Sequence, residues 1–173
     1  MQLPTSTYDH LETGGEARRA IWSRRGLLVA LFGLVGAGAV GLLGDTDVRK
    51  RASGGGYDLE LFYPRSARAG LDVPWEVTVR HPGGFAGDNV TLAVTGTYFD
   101  IYETQGFHPD PTESTRDGRW LYLSFTKPDG DTLVVAYDAY IQPSSQRGRS
   151  GTLAVVADGR RVVSLDFETT LLP

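Results

Sequence analysis

Cysteine is missing from the 173 residues, and methionine occurs once, as Met1. The first absence excludes disulfides, thiolate metal sites and thiol nucleophiles. With both scarce, the soft ligands that haem, copper and iron–sulfur centres draw on are lacking as well. Histidine is limited to His10, His81 and His108, and only the last two follow the apolar run described below, whereas a zinc site takes three or four ligands. No Gly-x-Ser-x-Gly elbow frames a serine, so a serine triad has no setting. The formal net charge is -4 and the pI about 5.3, which is not the basic signature of a nucleic-acid binder. These gaps lead to the expectation of a non-enzymatic protein with no cofactor, no metal and no nucleic-acid partner.

What is present begins with a long hydrophobic run. Gly26 to Gly44 is nineteen residues without a charge, and as a helix it would cover about 28 Å, close to the roughly 30 Å of a bilayer's hydrocarbon core. A cleaved export signal has a shorter apolar stretch of about 7 to 15 residues before an A-x-A site. Ala37-Gly38-Ala39 offers such a site, but cutting there would leave Val40, Leu42 and Leu43 at the new N-terminus. The retained anchor is therefore the expected reading, with cleavage as its alternative. Ser23, Arg24 and Arg25, followed by Gly26-Leu27-Leu28, resemble the twin-arginine export motif. Arg18, Arg19, Arg24 and Arg25 before the run, against Arg49, Lys50 and Arg51 behind it, favour a cytoplasmic N-terminus by the positive-inside rule. Gly33, Ala37 and Gly41 recur at intervals of four, a small-residue face suited to packing on another membrane helix.

The expected organisation is a disordered cytoplasmic tail over 1–25, ending in arginines, and a transmembrane helix or signal anchor over 26–44. A flexible linker follows over 45–56, and an extracytoplasmic domain over 57–173. Within that domain the hydrophobic period is two. Leu59 and Leu61 alternate with Asp58 and Glu60; Trp75, Val77 and Val79 with Glu76, Thr78 and Arg80; Val163, Leu165 and Phe167 with Ser164, Asp166 and Glu168. "NVTLAV" and the following "YFDIY" extend the strand pattern, and "WLYLSF" and "TLVVAYDAYI" are apolar enough on both faces to be central strands. Asp158-Gly159 marks a tight hairpin. Seven to eight strands divided by Gly, Pro and Asp turns predict an all-β, antiparallel two-sheet sandwich of immunoglobulin-like type behind one N-terminal transmembrane helix.

"VPWEVTVRHPGG" and, later, "LSFTKPDGDTLVVAYDAYIQP" with a closing hairpin resemble the immunoglobulin-like modules of prokaryotic surface proteins, the CARDB-type adhesion-related class. The resemblance covers about Leu71 to Phe167 in one copy, and it implies a cell-surface contact module. It also fits the uncharacterised single-pass proteins of bacterial envelopes.

The segment from Glu103 to Arg119 reads as one long loop, and loops of that length are often functional. Tyr102, Phe107, His108, Asp110, Glu113, Asp117 and Trp120 are its candidate ligand-binding residues. The carboxylates, with Asp129 and Asp131, could offer oxygens to calcium. Tyr98, Tyr102, Tyr122, Tyr137 and Tyr140 could line a sugar- or protein-binding face. The leading expectation is a plasma-membrane protein, its C-terminal domain outside, working by protein–protein interaction as an accessory or scaffold of an envelope complex. Its partners would be the bilayer, through 26–44, and an integral membrane protein. The alternative is an exported module for envelope carbohydrate or a calcium-dependent ligand.

Overall fold

The computed structural model describes residues 14–39, 44–103 and 106–172. The chain forms two units, 1–43 and 44–173, divided between Leu43 and Gly44. In the first, α1 spans Gly14–Ala39. It starts earlier than expected: residues 14–25, read from sequence as disordered tail, are helical. Glu16, Ala17, Arg18, Arg19 and Ala20 are good helix formers and no proline interrupts them. Arg18–Ala39 is long and apolar enough to cross a membrane. Its 22 residues cover about 33 Å at the helical rise. Gly44, expected as the end of this helix, lies in a bend outside it.

The second unit is almost entirely strand. In chain order the strands are β1 (Thr46–Gly54), β2 (Tyr57–Arg68), β3 (Asp72–Val73), β4 (Glu76–Arg80), β5 (Asn89–Thr95), β6 (Phe107–His108), β7 (Glu113–Asp117), β8 (Trp120–Thr126), β9 (Thr132–Tyr137), β10 (Ala139–Tyr140), β11 (Arg149–Ala157) and β12 (Arg160–Leu172). A 3₁₀ helix, Gly96–Ile101, separates β5 from β6. It replaces the strand expected at "YFDIY". β3 and β10 form a small two-stranded sheet. The other ten strands share one sheet in the order β6-β9-β4-β2-β12-β11-β5-β8-β7, with β1 paired to β2.

The expected all-β domain behind one apolar helix is thus present, with more strands than the seven to eight expected, and ten of them run on as a single curled, mixed sheet rather than as two separate antiparallel sheets. The reason lies in the length of β2 and β12. The first part of β12 pairs with β11, and its end then pairs parallel with β2, Thr170 opposite Ser66 and Leu172 opposite Arg68. Two wings, β1-β2-β4-β9-β6 and β12-β11-β5-β8-β7, are stitched together at that corner. "WLYLSF" and "TLVVAY" lie one strand in from the ends of the order rather than at its centre. The inward residues predicted by alternation are the core: Leu59, Leu61, Val77, Val79, Leu92 and Leu165 are all buried in one hydrophobic cluster.

The segment expected to be a flexible linker is β1. Its three terminal glycines do not act as a spacer. Gly55 and Gly56, at φ 59 and 85, make the two-residue turn of a β1–β2 hairpin, a backbone that other residues rarely adopt. Val48 and Ala52 face inward against the core. On the opposite face Arg49 and Arg51 donate to the Glu60 carboxylate at 2.8 and 2.5 Å, and the Arg51 and Arg49 hydrogen bonds hold that carboxyl below its ordinary value. Lys50 donates instead to the backbone carbonyl of Asp166 in β12, at 2.8 Å.

At the stitched corner sits a buried chain of hydroxyls. The Pro64 carbonyl can only accept, so the Thr169 hydroxyl donates to it at 2.6 Å. That leaves the Thr169 oxygen to accept from Tyr98 at 2.8 Å, and the Tyr98 oxygen to accept from Tyr102 at 2.8 Å. Every proton in the chain is thereby directed. Pro64 itself, lacking an N–H, lies opposite Asp47 where the β1–β2 register shifts. Burial pushes the Tyr102 hydroxyl up to about 12 and holds that of Tyr98 well above the ordinary phenol value.

Thr169→Val keeps the shape but takes the donor from the Pro64 carbonyl and the acceptor from the Tyr98 proton, so it should cost about 2 kcal/mol; Thr169→Ser should cost clearly less, both read by chemical denaturation. Because the folded-state phenol values are raised, their contribution is complete below the unfolded value of about 10 and is lost as pH climbs through the folded value near 12. Alkaline titration should therefore show tyrosinate absorbance from these two side chains appearing together with unfolding, and ionisation in a still-folded protein would contradict the assignment.

Candidate functional site

The helix carries three of the sequence-predicted features. Ser23 spends its hydroxyl within the helix, on the Ala20 carbonyl at 3.0 Å, and Arg24 and Arg25 follow it on exposed positions. Gly33 and Ala37 lie on the helix, and nothing stands within 4 Å of a Cβ built at Gly33. Gly41 lies outside the described residues. The large apolar side chains are turned outward all round: Leu27 is 71% and Phe32 73% exposed. Each such side chain would gain about 1.5–3 kcal/mol on leaving water.

The predicted ligand loop is not one loop. Phe107 and His108 form β6 against β9, and Glu113–Asp117 forms β7, an exposed antiparallel partner of β8. Gly118, at φ 55, opens the two-residue turn between them. The candidates are consequently dispersed. Tyr102 is buried and belongs to the hydroxyl chain. Phe107 packs edge-on to Phe99, with ring centroids 5.6 Å apart, and His108 meets Asp138 at 3.0 Å. Asp110, Glu113 and Asp117 are exposed along the strand and its approach. Asp131 is taken by the Thr132 hydroxyl and Arg80, which hold its carboxyl below the usual range. Among the described residues no three or more His, Asp or Glu side chains are grouped to hold a metal ion.

The expected tyrosine face is divided in the same way. Tyr98, Tyr102 and Tyr137 are buried, and they join Trp75, Phe99 and Phe107 in a continuous set of ring contacts. Tyr122 alone of the five lies on the outer face of β8, beside Arg160 and Arg161. The Trp75 Nε1 has no hydrogen-bond partner within the cluster.

Trp120, by contrast, is half-exposed on the outer face of the β12-β11-β5-β8-β7 wing. The guanidinium carbon of Arg161 lies 4.3 Å from its ring centroid and that of Arg119 5.1 Å. Arg119 also lines a cleft of about 510 Å³ with Lys50, Thr95, Thr152 and Asp166. Arg161 lines a second, of about 390 Å³, with Tyr122, Val156 and Arg160. The indole thus holds one arginine from the lining of each cleft. Within the larger cleft the Thr152 hydroxyl donates to Asp166 at 2.7 Å, and the Thr152 amide donates to the Thr95 hydroxyl at 3.0 Å. Beneath it Gly151 is required: a Cβ there would stand 2.8 Å from the Phe167 ring. Among the described residues Arg119, Arg160 and Arg161 have no carboxylate within ion-pair distance.

Sequence reading singled out Trp120 but missed its neighbours. The signal available was turn chemistry: Asp117-Gly118 delivers Arg119-Trp120, and Asp158-Gly159 delivers Arg160-Arg161. Comparison of the chain with protein-family models and with curated proteins finds no match.

Because the loop carboxylates are spread along an edge strand, calcium should not act on the fold. The full chain should melt at the same temperature with millimolar calcium and with chelator, and Asp110→Asn, Glu113→Gln and Asp117→Asn combined should leave that result unchanged. A calcium-dependent rise in Tm that the triple variant abolishes would reveal a site here.

Proposed function

We propose that the chain is a single-pass, non-enzymatic protein of the plasma membrane, with its N-terminus cytoplasmic and its β-domain outside, acting by protein–protein contact as an accessory or scaffold of an envelope complex. The observation that carries the reading is the helix Gly14–Ala39, whose large apolar side chains are all exposed. Lipid or another helix is the natural environment for such a surface. Four arginines before the apolar run orient it by the positive-inside rule. Gly33 and Ala37 offer the face on which a partner helix would pack, with Gly41 continuing it in sequence.

On this reading the curled sheet is an immunoglobulin-like sandwich of the CARDB-type adhesion-related class, its two wings joined at one corner. The ordered strand β1, rather than a free tether, continues the chain into the head. Its basic triplet supports a structural role over lipid contact, since Arg49 and Arg51 are paired with Glu60 and Lys50 with a backbone carbonyl. Export by the route that Ser23, Arg24 and Arg25 resemble is compatible with the same topology.

Fractionation of expressing cells should leave the full-length chain with membranes after a high-salt wash, and protease added to intact cells should remove the β-domain. Recovery in the soluble fraction, or a head fully protected from outside, would sink the reading. Gly33→Leu with Ala37→Leu should leave membrane insertion intact while lowering the recovery of a co-purifying membrane protein severalfold from detergent extracts.

A further inference from the structure

We propose that the outer face of the β12-β11-β5-β8-β7 wing, around Trp120, binds a carboxylate-bearing glycan of the cell envelope. The juxtaposition that carries this is Arg119, Trp120 and Arg161: two guanidinium groups over one indole, each opening into its own cleft. The indole fixes the guanidinium groups in place, since an arginine over an indole face is held by the ring's quadrupole. Neither arginine, nor the adjacent Arg160, is neutralised by a carboxylate among the described residues. Their donors are therefore available as a fork for an incoming carboxylate.

The rest of the lining selects the kind of anion. The larger cleft combines Lys50 and Arg119 with the hydroxyls of Thr97 and Ser150 and the carboxylates of Asp166 and Glu168. Donors and acceptors in that mixture match the hydroxyls of a sugar ring. Asp166 and Glu168 repel a polymer charged at every unit, such as polyphosphate, and likewise a continuous sheet of lipid phosphates. A chain of neutral hydroxyl-bearing units carrying carboxylates at intervals meets both halves of the face. A binding role for this surface also accounts for what the sheet leaves there: an indole, a phenol and three unpaired cations on an outer face that needs none of them to bury the core.

The inference places the ligand outside the cell and so rests on the orientation proposed above, but its test does not. Full-length protein in detergent micelles should bind immobilised hyaluronate, a glycan in which acidic sugars alternate with neutral ones, with affinity falling as salt is raised, and should bind dextran weakly or not at all. Arg119→Gln combined with Arg161→Gln should weaken binding about tenfold or more, while Arg65→Gln on the other wing should not. An unchanged melting temperature would show that the exposed substitutions left the fold intact. Absence of hyaluronate binding at low salt overturns the proposal. So does equal or tighter binding to polyphosphate or to phosphatidylglycerol vesicles, or a double variant that binds as the parent does. Failure of the orientation would appear separately, in protease protection of the head.

Discussion

The directed hydroxyl chain at the stitched corner is the constraint on which the rest of the β-domain leans. Thr169 belongs to β12, Pro64 to β2, and Tyr98 and Tyr102 to the 3₁₀ helix and the residue that ends it. Four hydrogen-bonding groups are sealed from water there, and Thr169 and Tyr98 are fully buried. An unpaired member of such a set would cost about 1–3 kcal/mol, so the set stabilises the joint placement of all three segments. The corner falls where the sheet curls: β12 stays paired with β11 through Thr169 and passes to β2 from Thr170, so Thr169 reaches Pro64 at the switch, and the 3₁₀ helix that follows β5 brings Tyr98 to Thr169. Tyr98 then stacks its ring edge-on to Phe167, centroids 4.5 Å apart, joining the polar corner to the aromatic core.

The same corner explains why the segment Thr46–Gly54 is ordered. β1 runs along β2 up to the register shift opposite Pro64, and on its other side it lies close to β12. A Cβ at Gly54 would come 2.9 Å from the Val162 carbonyl oxygen, and Lys50 bonds to the Asp166 carbonyl. Two long neighbours therefore hold β1 in place. Its charges were visible from sequence and suggested solvent or lipid. Charge alone does not make a linker, however, when Val48 and Ala52 pack on the core, Arg49 and Arg51 find the Glu60 carboxylate across the hairpin and Lys50 finds a backbone carbonyl in β12.

How much could be read in advance follows from the range of the signals. Period-two alternation put Leu59, Leu61, Val77, Val79, Val163 and Phe167 inside, because a half-buried strand leaves that imprint wherever it pairs. Asp158-Gly159 was legible for the same reason: Asp158 adopts φ 51, and only a few residues tolerate it. Gly55-Gly56 carried an equally local signal, but it stood behind a charged stretch next to the apolar helix and was read as spacer. "YFDIY" has strand composition and folds as a 3₁₀ turn, since Tyr98 and Tyr102 are needed on one side for the hydroxyl chain. Tertiary demand overrode local preference there. The candidate loop failed as a unit because Gly118-Arg119 is a hairpin turn, which converts half of the loop into an edge strand. The pairing of Arg119 with Arg161 across Trp120 joins strands far apart in the chain, and no local pattern contains it.

The division of aromatic residues ties the interior to the surface. Trp75, Tyr98, Phe99, Tyr102, Phe107 and Tyr137 are consumed by mutual ring contacts, and the Trp75 Nε1, enclosed by rings, has no hydrogen-bond partner among the described residues. That cluster lies under the wing formed by β4, β6 and β9, where a large indole fills the space between the sheet and the 3₁₀ helix. No such demand applies to Trp120. Its inward neighbours Leu121 and Leu123 already meet the core, and β7 covers only the edge of β8. An indole with two guanidinium groups over it on a solvent-facing strand is thus outside the packing logic that accounts for every buried ring. Burial explains the shape of the domain, and the unneutralised arginines beside Trp120 explain where that shape would make contact.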